Sequence, residues 1–378
     1  MNMKITNKLD LVTIAGNRPE LIKLSELVKS FPQYEHAFLY TGQHYSNNMK
    51  EIFSDEFGVQ PDYDLACNSS DLGIIQDKII DFLRKTNPKY VLVYGDTNST
   101  MAAALASKVV GCNLIHIEAG LRSFDTRMPE ERNRMKIDTL SDCLCAPTDL
   151  SRLFLKYENI QDNVFVTGNL IVDVCRKYSL VVTDQKYVNH HDFLSKDFIL
   201  LTLHRAENVD DESILRTLAK QLSYVNYKVV FPIHPRTRKS ITRYNIVFPD
   251  NVLTIDPVGY SEFLHLLKKC ILVLTDSGGV QEEAVVLKRP CITLRDTTER
   301  WETLLIKANI LFPLYRGLKQ PSLLNLLIEE MIITKISINP YGENVTRRIV
   351  EIVNNLVNET EVDNLTVHSS VRYPFTNK

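Results

Sequence analysis

The chain has 378 residues, of which 44% are hydrophobic and 24% charged, with 13 glycines and 15 prolines. This composition excludes collagen-like, disordered and coiled-coil proteins, and the length indicates two or three domains. The 44 basic and 46 acidic residues give a formal net charge of −2, so bulk electrostatics provides no reason to bind nucleic acid.

The cellular location is predicted from short apolar runs and from the cysteines. The N-terminus is polar, and runs such as 198–203 are far below the roughly 18 residues that a membrane-spanning helix needs. The seven cysteines include no Cys-x-x-Cys pair, and several lie in apolar segments. We therefore expect a cytoplasmic protein, not associated with membranes, with reduced and buried cysteines.

The first half alternates apolar strands with amphipathic helices. The predicted strands are 9–15, 37–41, 90–94 and 114–117, and the predicted helices are 20–29, 74–84, 99–110 and one that begins at Pro129. Strand–helix–strand units of this length build parallel sheets.

The same alternation restarts after an irregular stretch near residues 175–195. Strands are predicted at 198–203, 228–232, 252–255, 271–275 and 291–294, and helices at 212–222, 261–269, 280–287 and 346–357. We expect an α/β protein with an N-terminal domain at 1–180 and a C-terminal domain at 181–357. The final helix can pack back on the first domain, and 358–378 is a polar tail.

Polar residues follow the predicted strands in both halves. Arg18, Asp96 and Glu118 follow strands of the first half, whereas His204 and a segment that begins at Asp276 follow strands of the second. Ligands of open parallel sheets bind at the carboxyl ends of the strands. These residues are therefore candidates for a functional site.

The acids of the first half permit two interpretations. Asp96 could simply cap the helix near Asn98, and Glu130 could form a surface ion pair with Arg134 four residues later. Alternatively, Asp96, Glu118 and Glu130 form a cluster of carboxylates that moves protons.

The second half contains a glycine turn that leads into a helix. Ser277, Gly278 and Gly279 can present backbone N–H groups to a phosphate, and Glu283 lies where it could bind ribose hydroxyls, although Ser277 could also be an ordinary N-cap. The segment lacks both the dinucleotide and the P-loop fingerprints. His204 and His234 follow strands without the spacing of a metal site, so no metal is expected.

Together these motifs resemble the non-hydrolysing UDP-N-acetylglucosamine 2-epimerases. They occur in family order from about residue 9 to about residue 310. The motifs are Asn17-Arg18-Pro19-Glu20 with Lys23, Thr41-Gly42-Gln43-His44, Tyr94-Gly95-Asp96-Thr97-Asn98, His116-Ile117-Glu118-Ala119-Gly120-Leu121-Arg122, Pro129-Glu130-Glu131 with Asn133-Arg134, His204-Arg205-Ala206-Glu207-Asn208, the segment from Asp276 to Glu283, and Arg295-Asp296-Thr297-Thr298-Glu299-Arg300.

The resemblance implies two Rossmann-like domains that face a cleft, as in GT-B glycosyltransferases. It implies interconversion of UDP-GlcNAc and UDP-ManNAc by elimination and re-addition of UDP through a 2-acetamidoglucal, without an external cofactor. It also implies a homodimer. A role in polysaccharide biosynthesis would fit this activity.

The resemblance also assigns residues to the site. It implies catalytic roles for Asp96, Glu118, Glu130 and His204, but not which acid serves which face of C2. Implied substrate or UDP contacts are Arg18, Lys23, Arg134, His234, Phe263, Ser277, Gly278, Gly279, Glu283 and Arg300. Gln43 and His44 are candidates for a regulatory second UDP-GlcNAc site.

Several related functions stay open from the sequence. The nearest alternative is the same chemistry on a modified sugar such as a UDP-2,3-diacetamido-hexuronic acid. A hydrolysing 2-epimerase is disfavoured by Glu118-Ala119-Gly120. A UDP-sugar glycosyltransferase would not need three acids at the strand ends of the first domain. The sequence also leaves open a protein that binds UDP-sugars as a sensor and catalyses no reaction. In such a protein the acids would not be positioned for catalysis.

Overall fold

The computed structural model describes residues 8–43, 55–181 and 197–360. The chain divides into two compact units. The first comprises the described residues up to Val174 together with those from Pro340 onward, and the second runs from Cys175 to Asn339. Each unit contains one sheet in which all strand pairs are parallel.

The first unit has the strand order β3-β2-β1-β4-β5-β6-β7. Its strands are β1 (Leu11–Ala15), β2 (His36–Tyr40), β3 (Tyr63–Asp64), β4 (Tyr90–Tyr94), β5 (Asn113–Ile117), β6 (Cys143–Ala146) and β7 (Val164–Val166). Its helices are α1 (Arg18–Leu24), α2 (Leu72–Thr86), α3 (Asn98–Val110), α4 (Pro129–Leu140), α5 (Asp149–Tyr157), α6 (Ile171–Tyr178, which crosses into the second unit) and α14 (Val345–Val357).

The second unit has the strand order β10-β9-β8-β11-β12-β13. Its strands are β8 (Phe198–Thr202), β9 (Lys228–Pro232), β10 (Val252–Ile255), β11 (Leu272–Thr275), β12 (Cys291–Thr293) and β13 (Asn309–Leu311). Its helices are α7 (Ala206–Val209), α8 (Glu212–Leu222), α9 (Pro235–Arg243), α10 (Tyr260–Lys269), α11 (Gly278–Val286), α12 (Trp301–Leu305) and α13 (Leu323–Ile332).

The central strands are apolar because helices cover both faces of each sheet. Val91, Leu92 and Val93 of β4 have no exposed surface, and neither do Leu272 and Val273 of β11. The predicted α/β class with two parallel-sheet domains is confirmed.

The division into units differs from the predicted domain boundaries. The second unit begins at Cys175 rather than at 181, and α14 belongs to the first unit, the packing that the sequence had left open. Asn354 of α14 accepts hydrogen bonds from Tyr34 Oη at 2.8 Å and from Gln33 Nε2 at 3.0 Å, and the Tyr90 hydroxyl donates to the Leu356 carbonyl at 2.9 Å.

The predicted helix at 20–29 is wrong in its second half. The α-helix ends at Leu24, and a 3₁₀ turn follows at Val28–Ser30. The Ser25 hydroxyl donates to the Ile22 carbonyl at 2.7 Å, so a side chain satisfies a backbone acceptor that a continuing helix would use.

The seven cysteines are free and buried, as predicted. Within the described ranges, no helix is long and apolar enough to cross a membrane. The polar tail beyond residue 360 lies outside the described residues.

Candidate active site

The order of the strands reverses between β1 and β4 in the first unit and between β8 and β11 in the second. Crevices at such switch points are where open parallel sheets bind ligands. Glu20 and Asp96 follow β1 and β4, whereas His204 and Asp276 follow β8 and β11. Each unit therefore places polar side chains at its own switch point.

Glu118 follows β5 with a φ of 74°, in the left-handed region that non-glycine residues rarely adopt. Its Oε1 accepts hydrogen bonds from Tyr94 Oη at 2.6 Å and from Lys23 Nζ at 2.9 Å. Lys23 Nζ also lies 5.2 Å from the centre of the Tyr94 ring. These two buried side chains hold the Glu118 carboxylate in one place, at a strained backbone position of the kind that occurs at active sites.

Asp96 does not cap the following helix. Thr97 is the N-cap of α3, and its hydroxyl accepts from the Thr100 N–H at 3.2 Å. Asp96 instead forms a short ion pair with Arg134, whose other terminal nitrogen contacts Glu131. The structural explanation that the sequence allowed for Asp96 is therefore wrong.

Glu131, rather than Glu130, is the α4 acid that pairs with Arg134. It is fully buried and accepts from the Ser123 N–H at 2.9 Å, the Ser123 hydroxyl at 2.9 Å and the Phe124 N–H at 2.8 Å. Glu130 is half-buried and makes no hydrogen bond or ion pair to any described residue. The sequence had grouped Glu130 with Arg134 by their spacing of four, whereas the actual ion pair has a spacing of three.

Glu20 is a site residue that sequence reasoning missed. It is buried, and its Oε2 accepts from the Gly16 N–H at 2.6 Å. Burial raises the pKa of the Glu20 carboxyl to about 7, although hydrogen bonds from Thr97, Gly16 and Thr100 lower it, and the charge of Asp96 adds to the increase. The signal in the sequence was the Asn17-x-x-Glu20 spacing, because the Asn17 side chain caps the Glu20 N–H at 2.9 Å.

Thr100 Oγ1 lies 2.9 Å from the Tyr94 carbonyl oxygen and 3.1 Å from Glu20 Oε1, so the hydroxyl has two acceptors for its one proton. The hydrogen bond from Thr100 is one of those that lower the pKa of Glu20, and the effect of burial outweighs it.

Glu20→Gln should change how the free energy of unfolding depends on pH. A carboxyl whose pKa rises from 4.5 to about 7 on folding keeps its proton in the folded state, so stability falls as pH rises between these values, by up to about 3 kcal/mol. Glutamine cannot ionise, so urea unfolding should show the variant gaining stability relative to wild type from about pH 5 to about pH 8. The control is exposed Glu35→Gln, which should follow wild type. Parallel curves for Glu20→Gln and wild type would contradict the assignment.

Two further predicted residues of the first unit, Arg18 and Gln43, follow β1 and β2. Arg18 begins α1, is partly exposed, and lies 4.0 Å from Glu56. Gln43 Oε1 accepts from the Ser99 hydroxyl at 2.8 Å and from its N–H at 3.2 Å. Gln43 is thus joined to the first turn of α3, whereas His44 lies outside the described residues.

In the second unit, Asp276, which follows β11, contacts residues that follow β8 on the other side of the switch point. It is fully buried, and its carboxylate lies 3.0 Å from His204 Nδ1 and accepts from the backbone N–H groups of His204 and Arg205 and from Asn208 Nδ2. Burial alone would raise the pKa of Asp276, but the His204 hydrogen bond and charge and the backbone donors lower it overall. An ionised Asp276 therefore orients the His204 ring and leaves Nε2 for a ligand.

His234 has a structural role at the start of α9. Its Nδ1 accepts from the Arg236 N–H at 3.2 Å, so the ring caps α9. The ring centres of His234 and His204 lie 5.5 Å apart. Burial and the nearby His204 charge lower the pKa of His234, which favours the neutral ring that this cap requires.

The N-terminus of α11 has the features of an anion site. Ser277 is the N-cap residue, but its side chain makes no capping hydrogen bond, so the ordinary-cap explanation is not supported. A Cβ on Gly278 would overlap the Glu299 carboxylate, whereas a Cβ on Gly279 would meet no atom within 4 Å. The first turn thus packs against Glu299 at Gly278 and has open space on the Cβ side of Gly279, and helix N-termini are places where backbone N–H groups bind anions.

The other predicted UDP contacts lie around α10 and α11. Glu283 is buried in α11 near Tyr260, and Phe263 is half-buried in α10. Arg300 is buried and forms a short ion pair with Glu282. Arg300 is therefore anchored to α11.

No group of three or more His, Cys, Asp or Glu within 8–43, 55–181 and 197–360 is arranged to hold a metal ion. The chemistry available to the described side chains is acid/base chemistry and anion binding. Two parallel-sheet α/β units with such groups at their switch points define the class as a two-sheet α/β protein with candidate ligand sites at the switch points.

The particular family follows from sequence comparison. A profile described as UDP-N-acetylglucosamine 2-epimerase matches residues 26–354. The chain is 39% identical over 354 residues to the UDP-N-acetylglucosamine 2-epimerase of Methanococcus maripaludis, covering 89% of this chain and 96% of that protein. It is 41% identical over 315 residues to the UDP-2,3-diacetamido-2,3-dideoxy-D-glucuronate 2-epimerase of Pseudomonas aeruginosa, covering 80% and 88%.

A solved structure gives the same result. The UDP-GlcNAc 2-epimerase of Methanocaldococcus jannaschii, in complex with UDP-GlcNAc and UDP, superposes with a TM-score of 0.80 at 39% identity, covering 92% of this chain and 99% of that one. The chain belongs to the UDP-N-acetylglucosamine 2-epimerase family and is therefore an isomerase. The family resemblance seen in the sequence is confirmed.

Proposed function

We propose that this enzyme interconverts UDP-GlcNAc and UDP-ManNAc without hydrolysing them. The observation that carries the proposal is the pair of strand-end carboxylates, Asp96 and Glu118, each held by buried cationic side chains. The relatives named as UDP-GlcNAc 2-epimerases support the same activity.

The proposed reaction begins with transfer of the C2 proton to a carboxylate. The C–H electron pair forms the C1=C2 bond while the C1–O bond breaks, and its electrons leave with UDP, giving the 2-acetamidoglucal. A second acid then protonates the opposite face of C2, and the UDP oxygen re-adds at C1. Two acid/base groups are needed because the proton leaves and returns on opposite faces.

The second unit supplies the groups for the leaving UDP. Departure of UDP places negative charge on the diphosphate, which N–H donors at the start of α11 and His204 Nε2 would stabilise. Orientation of His204 by Asp276 limits the reorganisation needed as that charge develops. The other proposed contacts of the nucleotide sugar are Phe263, Glu283, Arg300, Arg18 and Lys23.

The sugar itself has two candidates. Lys23 and Arg134, the buried cations of the first-unit site, are each paired with a carboxylate, which favours an uncharged N-acetylhexosamine. The alternative is UDP-2,3-diacetamido-glucuronate, supported by the 41% identity to the Pseudomonas aeruginosa enzyme. Comparing kcat/KM for the two nucleotide sugars distinguishes them, and a higher value for the hexuronate would reverse the choice.

Incubation with UDP-GlcNAc in deuterated water tests the reaction itself. NMR should detect UDP-ManNAc with deuterium at C2, because the proton exchanges with solvent while it is on the protein. Release of free ManNAc and UDP would replace this function with hydrolysis. UDP binding without turnover would indicate a sensor.

Four further expectations stay predictions of the same proposal. They are a homodimer, a cytoplasmic location, a role in polysaccharide biosynthesis, and regulation by a second UDP-GlcNAc through Gln43 and His44.

A further inference from the structure

His116 is a buried histidine whose two ring nitrogens both face acceptors. It lies on β5 with no exposed surface, Nδ1 is 2.7 Å from Asp138 Oδ1, and Nε2 is 2.9 Å from the Gly95 carbonyl oxygen. Its neighbours in the sheet, Val93 and Leu144, are apolar. Because a carbonyl oxygen can only accept, Nε2 must carry a proton.

Asp138 decides where the second proton lies. Its Oδ2 accepts from the Gly120 N–H at 3.1 Å and lies 2.7 Å from Arg122 Nη1. Burial would raise the pKa of Asp138, but the hydrogen bonds and charges of His116 and Arg122 lower it overall. Independently of His116, the Arg122 guanidinium and the Gly120 N–H both favour an ionised Asp138. An ionised Asp138 accepts from His116 Nδ1 too, so the ring carries a proton on both nitrogens.

The network extends from Asp138 through Arg122 to Glu158, which is partly exposed. Arg122 donates from Nε to Glu158 Oε1 at 2.7 Å, so two cations, His116 and Arg122, meet two anions, Asp138 and Glu158. A buried network of balanced charge with satisfied hydrogen bonds is rigid, and loss of one member leaves an uncompensated charge.

The network holds the two backbone segments that carry the proposed acids. The Gly95 carbonyl directly precedes Asp96, and the Gly120 N–H lies two residues after Glu118. Gly95 and Glu118 each have a φ of 74°, outside the regular strand conformation. Through His116 and Asp138, one buried pair connects both segments.

We propose that His116 is a positioning residue which, as an imidazolium held by Asp138, fixes the Gly95–Asp96 turn relative to the Glu118–Gly120 segment. The catalytic part of this inference rests on the proposed function, since it assumes that Asp96 and Glu118 act on C2. Its structural part concerns the charge of the His116 ring and the fixed positions of the two segments. Neither depends on the substrate.

Two substitutions separate the contacts of His116. Glutamine places an amide N–H₂ near the position of Nε2 and can still donate to the Gly95 carbonyl, whereas asparagine places it near Nδ1 and can only reach Asp138. His116→Asn should lower kcat about 10- to 100-fold with KM within a few fold, because displacement of an acid by about 1 Å has effects of this size. His116→Gln loses the contact to Asp138 and the ring charge, so it should be the less stable variant. Its kcat should nevertheless fall by only about two- to fivefold, because it keeps the contact to the Gly95 carbonyl that directly precedes Asp96. Equal losses in both variants that follow their thermal stability would overturn the positioning role.

A spectroscopic test on the wild-type protein is independent of activity. With ¹⁵N-labelled histidine and His116→Gln to assign the signal, His116 should show the signature of a ring that carries a proton on both nitrogens. The Gly120 amide, which donates to Asp138, should exchange with solvent at least tenfold faster in His116→Gln, which loses the contact to Asp138, than in wild type. A neutral-ring signature, or unchanged Gly120 exchange, would overturn the inference. Inactive wild type with both signatures intact would instead contradict only the proposed function.

Discussion

Glu118→Gln is expected to lower turnover of UDP-GlcNAc by about 10²- to 10⁴-fold while leaving UDP binding unchanged. The fold should tolerate the change, because Tyr94 and Lys23 both donate to Oε1 and an amide oxygen in that position accepts the same hydrogen bonds. The amide cannot take up or return a proton. Stopped assays of epimer interconversion and UDP titration by calorimetry measure the two effects.

Deuterium exchange at C2 of each epimer tests the two acids separately. An enzyme that lacks one acid can still remove and return the proton on the face served by the other, so Glu118→Gln should exchange C2 of only one epimer. Asp96→Asn should exchange only the other, which would assign each acid to a face. Exposed Glu35→Gln should behave as wild type. If Glu118→Gln and Asp96→Asn both epimerise within tenfold of the wild-type rate, the acid/base assignment is wrong.

Asp276→Asn is expected to lower kcat by about 10²-fold, because His204 loses the carboxylate that orients its ring. An amide in this position must also turn an N–H₂ group toward the N–H donors of His204 and Arg205 or toward His204 Nδ1. We therefore also expect a loss of about 1 to 3 kcal/mol in the free energy of unfolding. Steady-state kinetics and urea unfolding measure the two effects.

The double variant tests whether Asp276 acts through His204. Groups that act as a unit give non-additive losses, so His204→Asn combined with Asp276→Asn should be no slower than the slower single variant. Asp256→Asn is the matched control, because Asp256 pairs with Arg238 at 2.6 Å while its own side chain is 90% exposed. Multiplicative losses in kcat would show that Asp276 acts independently of His204.

Most strands and helices followed from hydrophobic periodicity. The strands at 90–94, 228–232 and 252–255 and the helix at 212–222 have the predicted bounds. Periodicity predicts no strand or helix between 143 and 178, although this region contains β6, α5, β7 and α6. The strands there are only three or four residues long, too short to show a period.

The sequence by itself determined the α/β class, the strand ends at which polar residues gather, and the family, because each depends on patterns along the chain. Only the tertiary structure decided which groups meet. Arg134 pairs with Glu131 and Asp96, and Asp276 contacts His204 across the β8–β11 switch point. Burial raises the pKa of the Glu20 carboxyl. Apart from Glu131 and Arg134, which are three residues apart in α4, these partners come from different strands and helices, and local periodicity carries no information about such contacts. The near-zero net charge likewise gave no indication of how buried cations and carboxylates pair inside each unit.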